Sequence, residues 1–180
     1  VRLKGGDPLV FGRGGEEIEA LVRAGIPVEV VPGITAALGC AASAAIPLTH
    51  RDHAQSCLLV AGQLRDGAAS PDLPALDLPT LDWPALARAR QTLVFYMALE
   101  NLDTIADRLV EHGLPADTPA ALVENGTRAD ERRVVGTLAT IAAQARQTSL
   151  EGPTLLMVGE VVGMALSNRP EFHFVSGIGL

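Results

Sequence analysis

The chain has 180 residues, of which 48% are hydrophobic and 19% charged, and its formal net charge is −7. These values exclude a disordered chain, because enough apolar side chains are present to build a core. The negative charge argues against a nucleic-acid partner, since such partners are bound by surfaces that neutralise phosphates. Two cysteines are too few for a disulfide framework, which indicates a reducing, cytoplasmic setting.

The first residues predict a piece of a longer protein. The chain starts with Val1 rather than Met, and residues 1–4 are typical of the end of a strand that leads into a glycine turn. Residues 30–49 carry no charge, but small residues dominate them and a proline stands near each end. This composition favours a buried helix over a membrane span, so no membrane partner is expected.

Helical and extended patterns alternate in the first third of the chain. Residues 16–24 have apolar side chains at helical spacing, with two glutamates in the first turn. Residues 27–31 predict a short strand, because they begin with a proline and three of the five are valine. Thr35 is then predicted to be the N-cap of a small-residue helix that continues to Ala45.

The alternation continues and indicates the α/β class. Residues 64–90 carry prolines among aspartate and alanine, which predicts a surface insertion with one short helix near residues 83–88. The residues from Asn168 onwards are predicted to be a frayed tail. Strands are predicted at residues 56–61, 92–98, 120–124, 132–135 and 154–159, and further helices at residues 101–112 and 138–146.

The densest motif is a glycine-rich run over residues 4–17, KGGDPLVFGRGGEE. Glycines let a backbone approach a ligand without Cβ collisions and direct free N–H groups at it. The run matches neither a P-loop nor the G-x-G-x-x-G fingerprint of dinucleotide-binding folds. Its spacing alone leaves two interpretations open, a ligand-binding loop and a tight connecting turn.

Four motifs together resemble one known family. They are RLKGGDP with FGRG over residues 2–14, VPGITA at residues 31–36, PLTHR at residues 47–51 and ENGT at residues 124–127. In this order they resemble the uroporphyrinogen-III C-methyltransferase family, which occurs alone or as the carboxy-terminal part of siroheme synthase. The resemblance covers nearly all of residues 1–166 except the proline-rich stretch.

The resemblance implies the tetrapyrrole methylase fold, in which a cofactor cleft lies between two α/β domains. Residues 1–50 would be the remainder of an incomplete amino-terminal domain. Residues 51–166 would be the carboxy-terminal domain, with the insertion at residues 64–90, and residues 167–180 a tail. The family is homodimeric, and the same is expected here.

The resemblance also implies an activity, the transfer of methyl groups from S-adenosylmethionine to uroporphyrinogen III to give precorrin-2 in siroheme or cobalamin biosynthesis. No metal is required. The family's acid/base pair, an Asp and a Lys, lies upstream of the glycine loop, so no catalytic residue is expected in this chain, and the fragment alone is expected to bind poorly and not to turn over. Carried over by motif, the cofactor contacts would be Gly5, Gly6, Asp7, Val10, Thr35, Ala36, Met97 and Gly126.

The chain departs from the family pattern at three places. Leu9 stands where Phe is usual, and Ala98 where a Gly follows the Met. Residues 61–63, Ala-Gly-Gln, stand where Thr-Gly-His is common. None of these changes removes an expected cofactor contact, but the last one lies next to the insertion at the rim of the expected cleft.

Arginines are the candidate substrate contacts. Uroporphyrinogen III bears eight carboxylates, and guanidinium groups bind carboxylates bidentately. Arg13, Arg51 and Arg128 are therefore the proposed substrate residues, with Arg132 and Arg133 beside the last of them. The alternative is that each belongs to an ordinary surface ion pair.

Two other functions remain open from the sequence. One is a methylase of the same fold that acts on a later precorrin. The other is a non-catalytic module that supports dimer formation or a neighbouring synthase domain. His50 and His53 have a spacing that could hold a metal, but two histidines without further ligands do not predict a metal site.

Overall fold

A computed structural model of the chain describes residues 1–63 and 81–164. Five strands of this part form one mixed sheet in the order β1-β2-β5-β3-β4, in which β1 and β2 run parallel and the other neighbours antiparallel. The strands are β1 (Ser56–Ala61), β2 (Gln91–Tyr96), β3 (Pro119–Glu124), β4 (Arg132–Thr137) and β5 (Thr154–Val158). The helices are α1 (Gly14–Arg23), α2 (Ala36–Ala44), α3 (Trp83–Leu86), α4 (Leu102–Glu111) and α5 (Ile141–Thr148), with 3-10 turns at Leu99–Asn101 and Glu160–Met164.

The sheet is buried on both faces because its central strands are almost entirely apolar. Successive side chains of a strand point to opposite faces. On β2, Leu93 and Phe95 therefore join a cluster with α4 and α5, whereas Val94 and Tyr96 join a second cluster with α2. Burial of an apolar side chain contributes about 1.5–3 kcal/mol, so the two clusters are the main source of stability.

The five strands predicted from residue 56 onwards are confirmed, and so is the α/β class. The short helix predicted near residues 83–88 is present as α3, where the Asp82 side chain accepts a hydrogen bond from the Ala85 N–H at 3.0 Å. Helix α5 begins at Ile141, three residues later than predicted. The reason is a turn in which the Thr140 hydroxyl accepts a hydrogen bond from the Thr137 N–H at 3.0 Å.

The predicted strand at residues 27–31 is wrong. These residues, like residues 1–4, have no strand assignment, since no neighbouring backbone among the described residues forms a ladder with them. A valine-rich sequence favours an extended chain, but a strand exists only where a partner backbone supplies hydrogen bonds.

Two expectations fall on residues that the structure leaves undescribed. Residues 64–80 of the predicted insertion and the tail from residue 165 onwards lie outside the described residues. Of the insertion, only residues 81–90 can be placed, and they include α3. No helix in the described ranges has both the length and the apolar character that a membrane crossing requires.

Candidate functional site

A cavity of about 830 Å³ lies where α2 begins and where β2 and β3 end. Its size is in the range of small-molecule sites, about 300–1,000 Å³. We call it the cleft. Its wall combines main chain, small side chains and a few polar groups from both halves of the chain, and its lining residues are Gly5, Gly6, Ile34, Thr35, Ala36, Leu38, Gly39, Cys40, Ala42, Tyr96, Met97, Asn125, Gly126, Thr127, Arg128, Pro153, Thr154 and Leu155.

The glycine loop, residues 5–15, contributes Gly5 and Gly6 to the cleft wall and is held in place by a lysine. Lys4 Nζ donates to the Gly12 carbonyl at 2.5 Å and lies 2.9 Å from the Glu17 carboxylate. The Lys4 side chain is mostly buried by these contacts. The lysine therefore ties the loop to the start of α1 and leaves Gly5 and Gly6 at the cleft.

Asp7 joins the glycine loop to the segment before α2. Its carboxylate accepts hydrogen bonds from the Leu9 N–H at 2.9 Å and from the Gly33 N–H at 3.2 Å. The two segments touch so closely that a Cβ on Gly33 would lie 2.2 Å from the Gly6 carbonyl oxygen. Gly6 itself has a φ of +74°, which glycine adopts without strain.

Helix α2 starts at the cleft and is capped by a side chain from β2. Thr35 occupies the predicted N-cap position, but its side chain makes no capping hydrogen bond to its own helix. Instead, the Tyr96 hydroxyl accepts from the Ala37 N–H at 2.9 Å and shares a hydrogen bond of 2.6 Å with the Thr35 hydroxyl. The sequence predicts the start of the helix correctly and misses the group that caps it.

Three of the eight non-glycine residues with positive φ in the described part of the chain line the cleft. Met97 has a φ of 56°, Asn125 of 51° and Thr127 of 68°. Such backbone conformations cost of order 1–3 kcal/mol and are concentrated at functional sites. The two turns that follow β2 and β3 are thus held in strained conformations at the cavity wall.

Gly126 lies directly against α2. A Cβ at this position would lie 2.2 Å from Cys40 Sγ and 3.3 Å from Cys40 Cβ, so no larger residue fits without a shift. The Cys40 side chain is almost fully buried. Burial, and then the nearby Glu131 carboxylate, raise the pKa of the Cys40 thiol to about 11.

The buried Glu124 carboxylate holds the turn after β3 in place. Glu124 is fully buried, and its carboxylate accepts from Arg132 Nε at 2.5 Å and from the N–H groups of Glu151 and Gly152 at 2.7 and 2.6 Å. The hydrogen bond from Arg132 lowers the pKa of Glu124 to about 2, although burial of the carboxyl group acts to raise it. The two backbone N–H donors also lower this pKa. The carboxylate therefore holds the Asn125–Gly126 turn and the residue 151–153 segment together at the cleft.

Six of the eight predicted cofactor residues line the cleft, namely Gly5, Gly6, Thr35, Ala36, Met97 and Gly126. Asp7 does not line it and acts instead through the Gly33 hydrogen bond. Val10 packs partly buried against the α2 side of the sheet. The structure thus brings most of these residues to one wall, while their role as cofactor contacts stays a prediction.

The predicted substrate arginines differ in position. Arg128 lines the cleft and pairs with Asp130 at 3.1 Å, and its side chain is largely exposed. Arg13 lies on the glycine loop with a φ of 56° and pairs with Glu16 at 3.2 Å. Arg51 is exposed and lies outside the cleft wall.

The two arginines of β4 are engaged in the protein itself. Arg132 binds Glu124 and donates to the carbonyls of Thr148 and Ser149, both at 3.2 Å. Arg133 pairs with Glu131 at 2.5 Å and donates to the Ser43 carbonyl. Their guanidinium groups therefore support the turn after β3 and the end of α2.

The histidines make ordinary polar contacts. His53 Nδ1 lies 3.0 Å from the Glu160 carboxylate, and the His50 ring packs against the His53 ring in a tilted arrangement with ring centroids 4.9 Å apart. Over residues 1–63 and 81–164, no group of three or more His, Cys, Asp or Glu side chains is arranged to hold a metal ion.

Sequence reasoning missed several cleft residues. Among the residues that line the cleft without being predicted contacts are Leu38, Cys40, Tyr96, Asn125 and Pro153, although Asn125 belongs to the ENGT motif. Tyr96 and Asn125 each adjoin a predicted contact in the sequence. The sequence signal that could have marked these two residues is a polar side chain directly next to a predicted cleft contact.

Comparison with known protein families gives the class of this protein. The model of the tetrapyrrole (corrin/porphyrin) methylases matches residues 1–142. The chain therefore belongs to the tetrapyrrole (corrin/porphyrin) methylases. The fold and family implied by the sequence motifs are thereby confirmed.

Siroheme synthases are among the proteins to which this chain is similar. The siroheme synthase of Stutzerimonas stutzeri is 56% identical over 162 residues, which cover 90% of this chain and 33% of that protein. The one of Gluconacetobacter diazotrophicus is 58% identical over 163 residues, with the same two coverages. The chain spans about a third of the length of these curated relatives.

Solved structures agree with this assignment. The chain is similar to the uroporphyrin-III C-methyl transferase of Thermus thermophilus, solved in complex with S-adenyl homocysteine, with a TM-score of 0.73 and 40% identity over 91% of this chain and 67% of that one. A cobalt precorrin-4 methyltransferase, at 24% identity and covering 87% of this chain and 62% of that one, has a TM-score of 0.74 and shows the shared fold.

Proposed function

We propose that this chain is part of an enzyme that uses S-adenosylmethionine to methylate carbon atoms of uroporphyrinogen III, giving precorrin-2 for siroheme or cobalamin biosynthesis. The observation that carries this is the cleft, which gathers Gly5, Gly6, Thr35, Met97 and Gly126 from both halves of the chain. The relatives support it, because a Thermus thermophilus enzyme that is 40% identical was solved with S-adenyl homocysteine.

The cleft fits an S-adenosyl ligand on chemical grounds. Glycines and small side chains make room for a ligand against the main chain, and backbone N–H and C=O groups can fix its orientation. A Cβ added at Gly5 would meet no atom within 4 Å, so this part of the wall is open to a ligand. Gly5, Gly6, Thr35, Ala36, Met97 and Gly126 would line the bound ligand, while Asp7 and Val10, on the same loop as Gly5 and Gly6, would hold that loop in place through Gly33 and the α2 face of the sheet.

The chain's own contribution to the reaction is alignment. The bound cofactor supplies an already activated methyl group, so little further chemistry is required of the protein. Orientation of two reactants can lower a barrier by about 7–11 kcal/mol. The turns at Met97 and Asn125, both with positive φ, form part of the cleft wall, and we assign no general acid or base to the described residues.

Arginines would bind the carboxylates of the substrate. Arg128 is at the cleft wall, and Arg13 is on the loop that contributes to it, so both can meet a polyacid that enters the cleft. Arg128 would exchange Asp130 for a substrate carboxylate. Arg51 lies outside the cleft wall, so its position supports a substrate contact less than the positions of Arg128 and Arg13 do. We further propose a homodimer that works in the cytoplasm.

The experiment that tests the proposal is calorimetric titration of the full-length protein with S-adenosylhomocysteine. We expect binding in the micromolar range, and about tenfold weaker binding for Gly5→Ala, whose added methyl group stands in the cleft. The matched control is Gly15→Ala, which also meets no atom within 4 Å but does not line the cleft. Absence of binding to the unmodified protein contradicts the proposal and favours a non-catalytic module.

Turnover distinguishes the candidate substrates. Uroporphyrinogen III and later precorrins are offered separately with S-adenosylmethionine, and the methylated products are identified by mass spectrometry. We expect two methyl groups on uroporphyrinogen III. Methylation of a later precorrin alone overturns the substrate assignment and leaves the cofactor assignment intact.

A further inference from the structure

Tyr96 contacts three of the segments that form the cleft. Its hydroxyl binds Thr35 and the Ala37 N–H at the start of α2, at 2.6 and 2.9 Å. Its ring lies against Phe11 of the glycine loop, with ring centroids 4.6 Å apart. Its backbone leads directly into Met97, the strained residue after β2. One side chain thus fixes the relative positions of these segments.

The tyrosine is also anchored on its own strand. Its carbonyl accepts a hydrogen bond from the Gly62 N–H at 2.7 Å, and its side chain is 8% exposed. The ring belongs to the buried cluster on the α2 face of the sheet. The position of the hydroxyl is therefore set by packing that does not depend on a ligand.

The hydrogens of the Thr35–Tyr96 pair do not all find partners in the protein. The pair has two hydroxyl hydrogens, and the single hydrogen bond between the two oxygens uses one of them. The Ala37 N–H donates to the Tyr96 hydroxyl oxygen, so this bond occupies a lone pair of that oxygen and does not use the tyrosine's own hydrogen. No further acceptor for either hydroxyl lies among the described residues, and both side chains line the cleft. One hydroxyl hydrogen is left for a ligand.

We propose that Tyr96 is a positioning residue of the S-adenosyl site: it caps α2, orients the Thr35 hydroxyl, and leaves the pair one hydrogen to donate to an oxygen or nitrogen acceptor of the ligand. The inference rests on the proposed function, because it names a residue that organises the same cleft. It adds a residue that the sequence motifs do not mark as a cofactor contact.

Tyr96→Phe tests the inference, since it keeps the ring against Phe11 and removes only the hydroxyl. We expect S-adenosylhomocysteine to bind about five- to tenfold more weakly, because the Ala37 N–H and Thr35 lose their partner. The matched control is Phe95→Leu, on the adjacent position and the opposite face of the sheet. It should lower the melting temperature and change the affinity by less than about twofold.

A second pair of variants tests the same hydrogen bond from its other side. Thr35→Val should bind S-adenosylhomocysteine about five- to tenfold more weakly than the unmodified protein, and Thr35→Ser, which keeps the hydroxyl, should lose less affinity than Thr35→Val. The double variant Tyr96→Phe with Thr35→Val should be no weaker than about the worse single variant, because both remove one shared interaction. If Tyr96→Phe fails to fold, Thr35→Val still tests whether the hydroxyl pair contributes to the affinity, and an unchanged affinity overturns the inference.

The outcomes separate the two proposals. If the unmodified protein binds S-adenosylhomocysteine and Tyr96→Phe lowers only the melting temperature, Tyr96 is a structural residue and the inference is overturned while the proposed function stands. Independent, additive losses in the double variant overturn it as well. If the unmodified protein does not bind, both proposals fall together.

Discussion

The sheet and the amino-terminal segment before α2 are built in different ways. Every strand of the sheet contributes buried apolar side chains, and its two faces are covered by helices. Among residues 1–34, all of which the structure describes, Gly14 is the one buried residue, and apolar side chains such as Val31 and Ile34 are exposed. Lys4 and Asp7 make contacts within this segment, and Val10 and Phe11 pack it against the rest of the chain.

The two regions therefore contribute differently to stability and to the cleft. The sheet supplies the free energy of folding and carries Met97 and Gly126 at its ends. The amino-terminal segment adds little burial, but it brings Gly5 and Gly6 to the cleft. Substitutions in the sheet should therefore change stability first, and substitutions in the segment should change binding first.

The largest effect on stability is expected for Glu124→Ala at the end of β3. The change leaves Arg132 and two backbone N–H groups without their acceptor, which should lower the free energy of unfolding by about 3 kcal/mol in urea denaturation. Glu111→Ala is the control, because its exposed pair with Arg108 should contribute less than about 1 kcal/mol. Equal effects of the two substitutions would contradict the role given to Glu124.

Acid should destabilise the sheet through the same carboxylate. The folded pKa of Glu124 is lowered from 4.5 to about 2, mainly by Arg132. A lowered pKa means that the stabilisation is complete above pH 4.5 and is lost as the pH falls through that window towards 2. Chemical denaturation at a series of pH values should show a smaller loss for Glu124→Gln than for the unmodified protein; parallel curves would refute this.

Gly33→Ala should affect binding rather than stability, as expected for the amino-terminal segment. Its Cβ would lie 2.2 Å from the Gly6 carbonyl oxygen and force the glycine loop away from α2. Affinity for S-adenosylhomocysteine should fall about tenfold or more, with a small change in melting temperature. A large drop in melting temperature with unchanged affinity would break the contrast between the two regions.

Gly126→Ala should affect both properties, because this residue belongs to the sheet side of the cleft. The added Cβ would collide with Cys40 Sγ, so we expect a loss of about 1–3 kcal/mol in stability together with weaker binding. Adding Cys40→Ala removes the sulfur and should restore part of the stability. If the second substitution restores nothing, the contact with Cys40 is not the cause.

Local sequence patterns were sufficient for most of the fold and for part of the cleft. The apolar run of β5 and the helical spacing of α4 can be read from neighbouring residues alone. Gly5 and Gly6 likewise indicate a place where a ligand can approach the backbone closely. The strand predicted at residues 27–31 failed because a strand depends on a partner that its own sequence does not contain.

Long-range polar contacts could not be predicted. The Tyr96 hydroxyl meets α2 across about sixty residues, and the local sequence shows only that Tyr96 adjoins the predicted contact Met97, not that its hydroxyl binds α2. The same holds for Arg132, which the sequence offers as a substrate contact and the fold places on Glu124. Such roles depend on which strand ends meet, and this is decided by the packing of the whole sheet.

The buried Cys40 has a consequence for an enzyme of the proposed kind. A thiolate beside a sulfonium donor would be a competing nucleophile, since the thiolate and not the thiol is the reactive form of cysteine. With its pKa raised to about 11, Cys40 stays protonated at neutral pH. If the cleft binds a sulfonium donor as proposed, the protonated Cys40 would not compete with the carbon acceptor for the methyl group.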